Sequence, residues 1–159
     1  MLGLRNIHLT VLLNCLVIFT CTYAVQALAD GDACSGLYPT ITGTEGDDVI
    51  DGTEGPDVII GLGGDDVIRG HGGDDVICAG DGDDVVSGGD GNDTIDGGAG
   101  DDIVSGGDGN DTIDGGADDD ALSGGSGTNT LDGGTDSNIC DARGSGGNDI
   151  IINCENVIQ

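Results

Sequence analysis

The sequence predicts an all-β repeat protein, and three observations carry that expectation. A nine-residue pattern runs without a gap from Gly43 to Asp141. Glycine opens ten of its eleven units, the exception being Ala79. Each unit also closes on a short run of β-branched or aliphatic residues, the composition that favours strands. A fixed internal period marks an architecture in which no unit buries its apolar face alone and each stacks on its neighbours.

Cut every nine residues, the chain reads GTEGDDVID, GTEGPDVII, GLGGDDVIR, GHGGDDVIC, AGDGDDVVS, GGDGNDTID, GGAGDDIVS, GGDGNDTID, GGADDDALS, GGSGTNTLD and GGTDSNICD. Position eight is Ile, Val or Leu in the first ten units. Side chains alternate along a strand, so position eight faces one way and positions seven and nine the other. One inward apolar residue per unit makes a thin core. Glycines at positions one, two and four permit positive φ and a tight turn. Position six is Asp in nine units: Asp48, Asp57, Asp66, Asp75, Asp84, Asp93, Asp102, Asp111 and Asp120. Of 31 acidic residues only Glu45, Glu54 and Glu155 are glutamate. The demand is therefore for a short carboxylate inside a turn, not for negative charge alone.

Composition narrows the function. The 159 residues include 34 glycines and three Lys or Arg, for a net charge of −28. Such a chain repels phosphate, which excludes nucleic acid as a partner, and for the same reason anionic membrane surfaces. Phe19, Tyr23 and Tyr38 are its only aromatic residues. High charge with few aromatics ordinarily reads as disorder; the strict order of the acids argues otherwise.

Residues 1–29 read as a secretory signal peptide: Arg5 near the start, an apolar run over Leu9–Phe19, and Ala27-Leu28-Ala29 as a small-x-small cleavage site. The run is shorter than the roughly 20 apolar residues of a membrane anchor. No membrane insertion is expected once the leader is removed. Cys34, Cys78, Cys140 and Cys154 then remain, an even number that suggests two disulfides among three possible pairings. Zinc competes less well, since no C-x-x-C pair occurs.

These units resemble the haemolysin-type calcium-binding nonapeptide of the repeats-in-toxin family, G-G-x-G-x-D-x-U-x. The resemblance covers residues 43–141. It implies a right-handed parallel β-roll, a two-sheet solenoid of 18-residue coils, about 5.5 coils in all. It further implies Ca2+ between turns stacked 18 residues apart, held by the position-six aspartates and by turn carbonyls near Gly46, Gly55, Gly64, Gly73, Gly82, Gly91, Gly100 and Gly109. Two carboxylates ~5 Å apart repel by roughly 3 kcal/mol at an effective dielectric of 20, so the metal-free chain is expected to be largely unfolded. An all-oxygen site suits calcium better than magnesium, which loses water reluctantly. Asp-on-Asp stacks give four gaps along one edge and three along the other, hence about seven ions.

Departures from the pattern locate the weak end. Asn129 and Asn138 stand at position six, and Asp118 and Asp136 replace the position-four glycine. Thr44, Thr53, Leu62 and His71 replace the second glycine. Residues 30–42 are expected as an N-terminal cap and 142–159 as a C-terminal cap. In a roll, Cys78 points outward and could pin Cys34, and Cys140 points inward near Cys154. The expected pairs are Cys34–Cys78 and Cys140–Cys154, with crossed pairing still open.

No catalytic constellation is visible, so an enzyme is not expected. His71, at a variable turn position, reads as a solvated side chain. Asn92 and Asn110 match glycosylation acceptors only because the repeat generates the tripeptide. The expected function is a secreted calcium-binding protein that folds on binding. The alternative is a calcium-dependent adhesin or surface-binding module acting through an outer sheet face. Val49, Val67, Val85 and Ile103 form a row on one such face, and Val58 and Val76 give way to Thr94, Thr112 and Thr130 on the other.

Overall fold

The computed structural model describes residues 34–144 and 148–159. The expected signal peptide over 1–29 lies outside them, as do residues 30–33 of the N-terminal cap. The described residues hold fourteen strands and no helix. In order they are β1 (Ile41–Thr42), β2 (Val49–Asp51), β3 (Val58–Gly63), β4 (Val67–Gly72), β5 (Val76–Asp81), β6 (Val85–Asp90) and β7 (Thr94–Ala99). There follow β8 (Ile103–Asp108), β9 (Thr112–Ala117), β10 (Ala121–Ser126), β11 (Thr130–Asp132), β12 (Ile139–Asp141), β13 (Ile150–Ile152) and β14 (Asn156–Ile158).

Odd-numbered strands make one seven-stranded sheet and even-numbered strands the other. Every pairing is parallel, and through the repeat each residue pairs with the one 18 positions on, as in Val67↔Val85 and Ile95↔Ile113. This is the two-sheet solenoid expected, with two nonapeptides to the coil. Strands β3 to β10 are longer than the expected triplet. Each runs six residues, through position three of the following unit. The glycine pair stays in the ladder, Gly80 opposite Gly98 and Gly98 opposite Gly116, because two stacked glycines leave nothing to part the backbones.

The roll also extends past both ends of the uninterrupted repeat. β1 precedes the first unit and pairs with β3. The segment expected as a C-terminal cap supplies β13 on β11 and β14 on β12, giving about six turns in place of 5.5. Residues 148–152, Asn-Asp-Ile-Ile-Ile, are the end of a further unit. The inserted Ala142 and Arg143 put it out of phase with a strict count of nine.

The interior is a single column. Ile50, Ile59, Ile68, Ile77, Val86, Ile95, Val104, Ile113, Leu122, Leu131 and Cys140, all at position eight, are buried between the sheets. Cys34 and Cys78 are joined with an S–S distance of 2.03 Å, and Cys140 and Cys154 are also bonded. Cys34 and Ile60 are both buried on the outer side of the first sheet beside Cys78, where the 34–42 segment lies.

With only one inward residue per unit, each carries an unusual share of the packing. Ile95→Ala should cost about 2–5 kcal/mol, and Thr112→Ala on the exposed face no more than about 0.5 kcal/mol. Denaturant unfolding of the two variants in calcium measures both.

Candidate metal centre

Position six is as buried as position eight. Asp66, Asp75, Asp84, Asp93, Asp102, Asp111 and Asp120 each expose 2 % or less of their surface. The strand that follows fixes this: position eight must face inward, so position six, two residues earlier, is carried inward at the turn. A carboxylate placed there needs partners, since burying an unpaired charge is strongly unfavourable.

Half of each carboxylate has one. Asp66 Oδ1 accepts the amide of Asp48 at 2.8 Å, and the relation repeats coil by coil. Asp75 accepts from Asp57, Asp84 from Asp66, Asp93 from Asp75, Asp102 from Asp84, Asp111 from Asp93 and Asp120 from Asp102, all at 2.7–3.0 Å. The other oxygen does not. Oδ2 of Asp66, Asp75, Asp84, Asp93, Asp102, Asp111 and Asp120 is buried with no hydrogen-bond donor. These are the later members of the seven Asp-on-Asp stacks. Asp149 Oδ2 is likewise unpartnered, but its Oδ1 takes the amide of Asn129, so it stacks on an amide side chain instead of a carboxylate.

The first turn of each edge differs. Asp48 Oδ2 accepts the amide and hydroxyl of Thr44 at 2.7 and 2.8 Å, and Asp57 Oδ2 those of Thr53, both at 2.8 Å. Threonine at position two, read from sequence as a missing glycine, is thus a cap. Burial works to raise the pKa of Asp57, yet the Thr53 hydroxyl and amide and the Thr40 hydroxyl outweigh it and leave the carboxyl below its ordinary value. The later carboxyls go the other way. Burial, reinforced by neighbouring carboxylates against the one backbone hydrogen bond, lifts Asp75, Asp84 and Asp120 to about 6 and Asp102 to about 7.

The surroundings of the orphaned oxygen are themselves oxygen. A Cβ added to Gly70 would land on Asp75 Oδ2 and on the Gly88 carbonyl oxygen of the next coil. One added to Gly97 would meet Asp102 Oδ2 and the Gly115 carbonyl, and one added to Gly61 would meet Asp66 Oδ2 and the Ala79 carbonyl. A methyl group at position one enters the space between these oxygens, and of the units that hold an orphaned oxygen only that of Asp84 carries one, as the buried Ala79. Asn138 shows what the space asks for. Its Oδ1 keeps the ladder bond to the Asp120 amide, and its Nδ2 donates to the carbonyls of Gly133 and Thr135 at 2.5 and 2.7 Å. An amide can donate to those carbonyls and a carboxylate cannot. In the aspartate units a cation would supply what the –NH2 supplies at Asn138, whereas the Nδ2 of Asn129, in the other asparagine unit, is buried without an acceptor.

Position four behaves as backbone. Gly64, Gly73, Gly82, Gly91, Gly100 and Gly109 take positive φ, and a Cβ on Gly82 or Gly91 would strike the carbonyl of Gly64 or Gly73 one coil earlier. Gly46 and Gly55, in the first turns, are not among the positive-φ residues, and a Cβ there would meet nothing. Leu62 and His71 at position two, and Asp118 and Asp136 at position four, adopt positive φ without being glycine, so those departures keep the turn. The His71 imidazole is exposed, 3.3 Å from Asp51.

Sequence reasoning gave position five no role. Oδ1 of Asp47, Asp65, Asp83 and Asp101 accepts the amide of Asp65, Asp83, Asp101 and Asp119 respectively, the residue 18 later in each case. Asp74, Asn92 and Asn110 do the same on the other edge. Position six reaches back one coil and position five reaches forward. The signal was present as an Asp or Asn at position five in eight of the eleven units, hidden by its chemical likeness to position six. The Asn92 and Asn110 amides donate within this ladder, which a glycan would break.

Among the described residues no three His, Cys, Asp or Glu side chains converge on one point. A cation held here therefore takes its remaining ligands from the backbone, an oxygen-only set of the kind calcium prefers. The model of the RTX calcium-binding nonapeptide repeat, of four copies, matches residues 42–77, 79–113 and 105–140. The chain belongs to the RTX calcium-binding repeat family. Neither a curated protein nor a solved structure matches it. The RTX motif falls on the residues whose buried oxygens lack donors, so the calcium-binding character of the family and the unsatisfied chemistry of this roll coincide.

Two outcomes follow from these oxygens. Gly97→Ala in this RTX roll is expected to cost about 1–3 kcal/mol by overpacking, while Gly46→Ala leaves stability unchanged, both read by denaturant unfolding in calcium. In chelator, protons should partly replace the metal. The folded-state carboxyl pKa values lie above the ordinary 3.8, so their contribution to stability is full below about 4 and is lost as pH rises through 6 to 7. Circular dichroism of the metal-free chain should show strand content rising as pH falls from 8 to 4. A flat profile would contradict it.

Proposed function

We propose that this is a secreted, non-enzymatic calcium-binding protein that folds when extracellular calcium reaches it. The observation that carries this reading is the column of seven buried, donor-free carboxylate oxygens, one for each Asp-on-Asp stack. Seven ions are assigned to them. The donor-free oxygens are those of Asp66, Asp84, Asp102 and Asp120 on one edge and Asp75, Asp93 and Asp111 on the other, completed by turn carbonyls. Asp48 and Asp57, expected from sequence as ligands, have Oδ2 already held by Thr44 and Thr53.

Bound Ca2+ supplies positive charge that joins carboxylate to carbonyl across two coils. The chain's own residues do the rest. Oδ1 of each aspartate holds the preceding coil by its amide, which aims Oδ2 toward the position-one carbonyl. Glycine at position one keeps that space clear. The position-eight column sets the depth of the carboxylate. Thr44 and Thr53 close the first turn of each edge without metal, and Asn138 closes the last turn of its own edge. The metal-dependent part of the roll thus lies between two self-satisfied ends.

Folding and binding are then one event, because no carboxylate pair exists until two coils are stacked. Extracellular location is supported by the two disulfides, which persist in oxidising compartments, and by the leader-like residues 1–29. Circular dichroism of the purified, oxidised protein during a calcium titration tests the reading. A cooperative coil-to-strand transition with calcium and none with magnesium is expected. A chain fully ordered in chelator at neutral pH, or one unresponsive to calcium, would overturn it.

A further inference from the structure

The outer face of the second sheet is unlike the rest of the molecule. Position seven forms an in-register row across it: Val49, Val67, Val85, Ile103, Ala121 and Ile139. Val49 is 71 % exposed, Ile103 58 %, and Val85 and Ile139 44 % each. The parallel row at position nine is Asp51, Arg69, Ser87, Ser105, Ser123 and Asp141. The corresponding row of the first sheet carries Asp96, Asp114 and Asp132 in succession. Within a strongly acidic chain, these two rows of the second sheet hold two aspartates, both paired with arginine, and the exposed Asp90 and Asp108 stand apart at the strand ends, at position three. Arg69 lies 3.4 Å from Asp51, and Arg143 lies 2.6 Å from Asp141. Arg69 and Arg143 are the only Lys or Arg residues beyond Arg5, so both arginines of the described residues accompany this aliphatic row.

We propose that this face binds the same face of a second copy, with the two rolls antiparallel. Two chains of this charge can meet only where repulsion is offset, and along the rows at positions seven and nine each carboxylate has an arginine beside it. The sheet order β14-β12-β10-β8-β6-β4-β2 puts β8 at the centre. A two-fold axis along β8 lays Ile103 on its own copy, Val85 on Ala121 and Val67 on Ile139. The same operation brings Arg69 of each copy onto Asp141 of the other, twice, joining the Asp51–Arg69 and Asp141–Arg143 pairs into mixed-sign clusters. Rolls aligned in the same direction would put Arg69 against its copy or onto the aliphatic row. Charge therefore selects the antiparallel arrangement, as complementary charges fix register at interfaces. Seven strands at ~4.8 Å spacing and about 20 Å of strand length give a footprint of roughly 600 Å² per copy, near the lower end for specific association. The dimer is expected to be reversible.

Sedimentation equilibrium over a concentration series, in calcium and with circular dichroism on the same samples, tests this. The wild type should show a monomer–dimer equilibrium. Ile103→Asp, whose side chain is outside the core, should sediment as monomer with an unchanged folded spectrum. Arg69→Asp should weaken the dimer by about tenfold or more, and adding Asp141→Arg to the same chain should restore it. A folded wild type that stays monomeric at every concentration overturns the proposal, including one that instead binds an added glycan or protein through this face. A dimer indifferent to Ile103→Asp overturns it too. The spectrum separates this from the calcium reading. A chain that folds without calcium contradicts that reading, and its association is then measured in the folded metal-free state.

Discussion

Everything in this roll turns on one buried carboxylate oxygen per unit. Position eight must face inward to make any core at all, and the strand geometry then carries position six inside with it. One oxygen of that carboxylate is used to bind the next coil. The other faces carbonyls, and in seven units no donor among the described residues reaches it. A protein built of aspartate in this way is unfinished without a cation, and the unfinished part is repeated along both edges.

The exceptions argue as strongly as the rule. At the start of each edge, Thr44 and Thr53 donate to the aspartate that would otherwise be orphaned. Near the end, Asn138 donates to the turn carbonyls that would otherwise face an anion. Both devices remove the need for metal near the ends of the aspartate ladder. They also give the roll ends that hold their own hydrogen bonds, so calcium-driven order has fixed boundaries.

Much of this was legible in the residues. The period, the inward column at position eight and the acid at position six were read from the residues directly, and the two-sheet solenoid followed from their resemblance to the repeats-in-toxin nonapeptide. Three things were not legible. The ladder role of position five looked the same as position six, since Asp serves as metal ligand and amide acceptor alike. The threonines at 44 and 53 read as defects because their hydroxyls matter only once the turn brings them to Asp48 and Asp57. The last two strands were hidden by the insertion of Ala142 and Arg143, which shifts Asp149 two residues out of phase yet leaves it stacked on Asn129.

The central claim is that donor-free Oδ2 atoms are the seats of calcium, and counting ions tests it most directly. Native mass spectrometry of the folded protein at saturating calcium should find seven bound ions, one for each orphaned oxygen in an Asp-on-Asp stack. Asp93→Asn, which supplies an amide as Asn138 does, should lower that number. Eleven ions, one per nonapeptide regardless of the residue at position six, would contradict the account, as would a count that the substitution leaves unchanged.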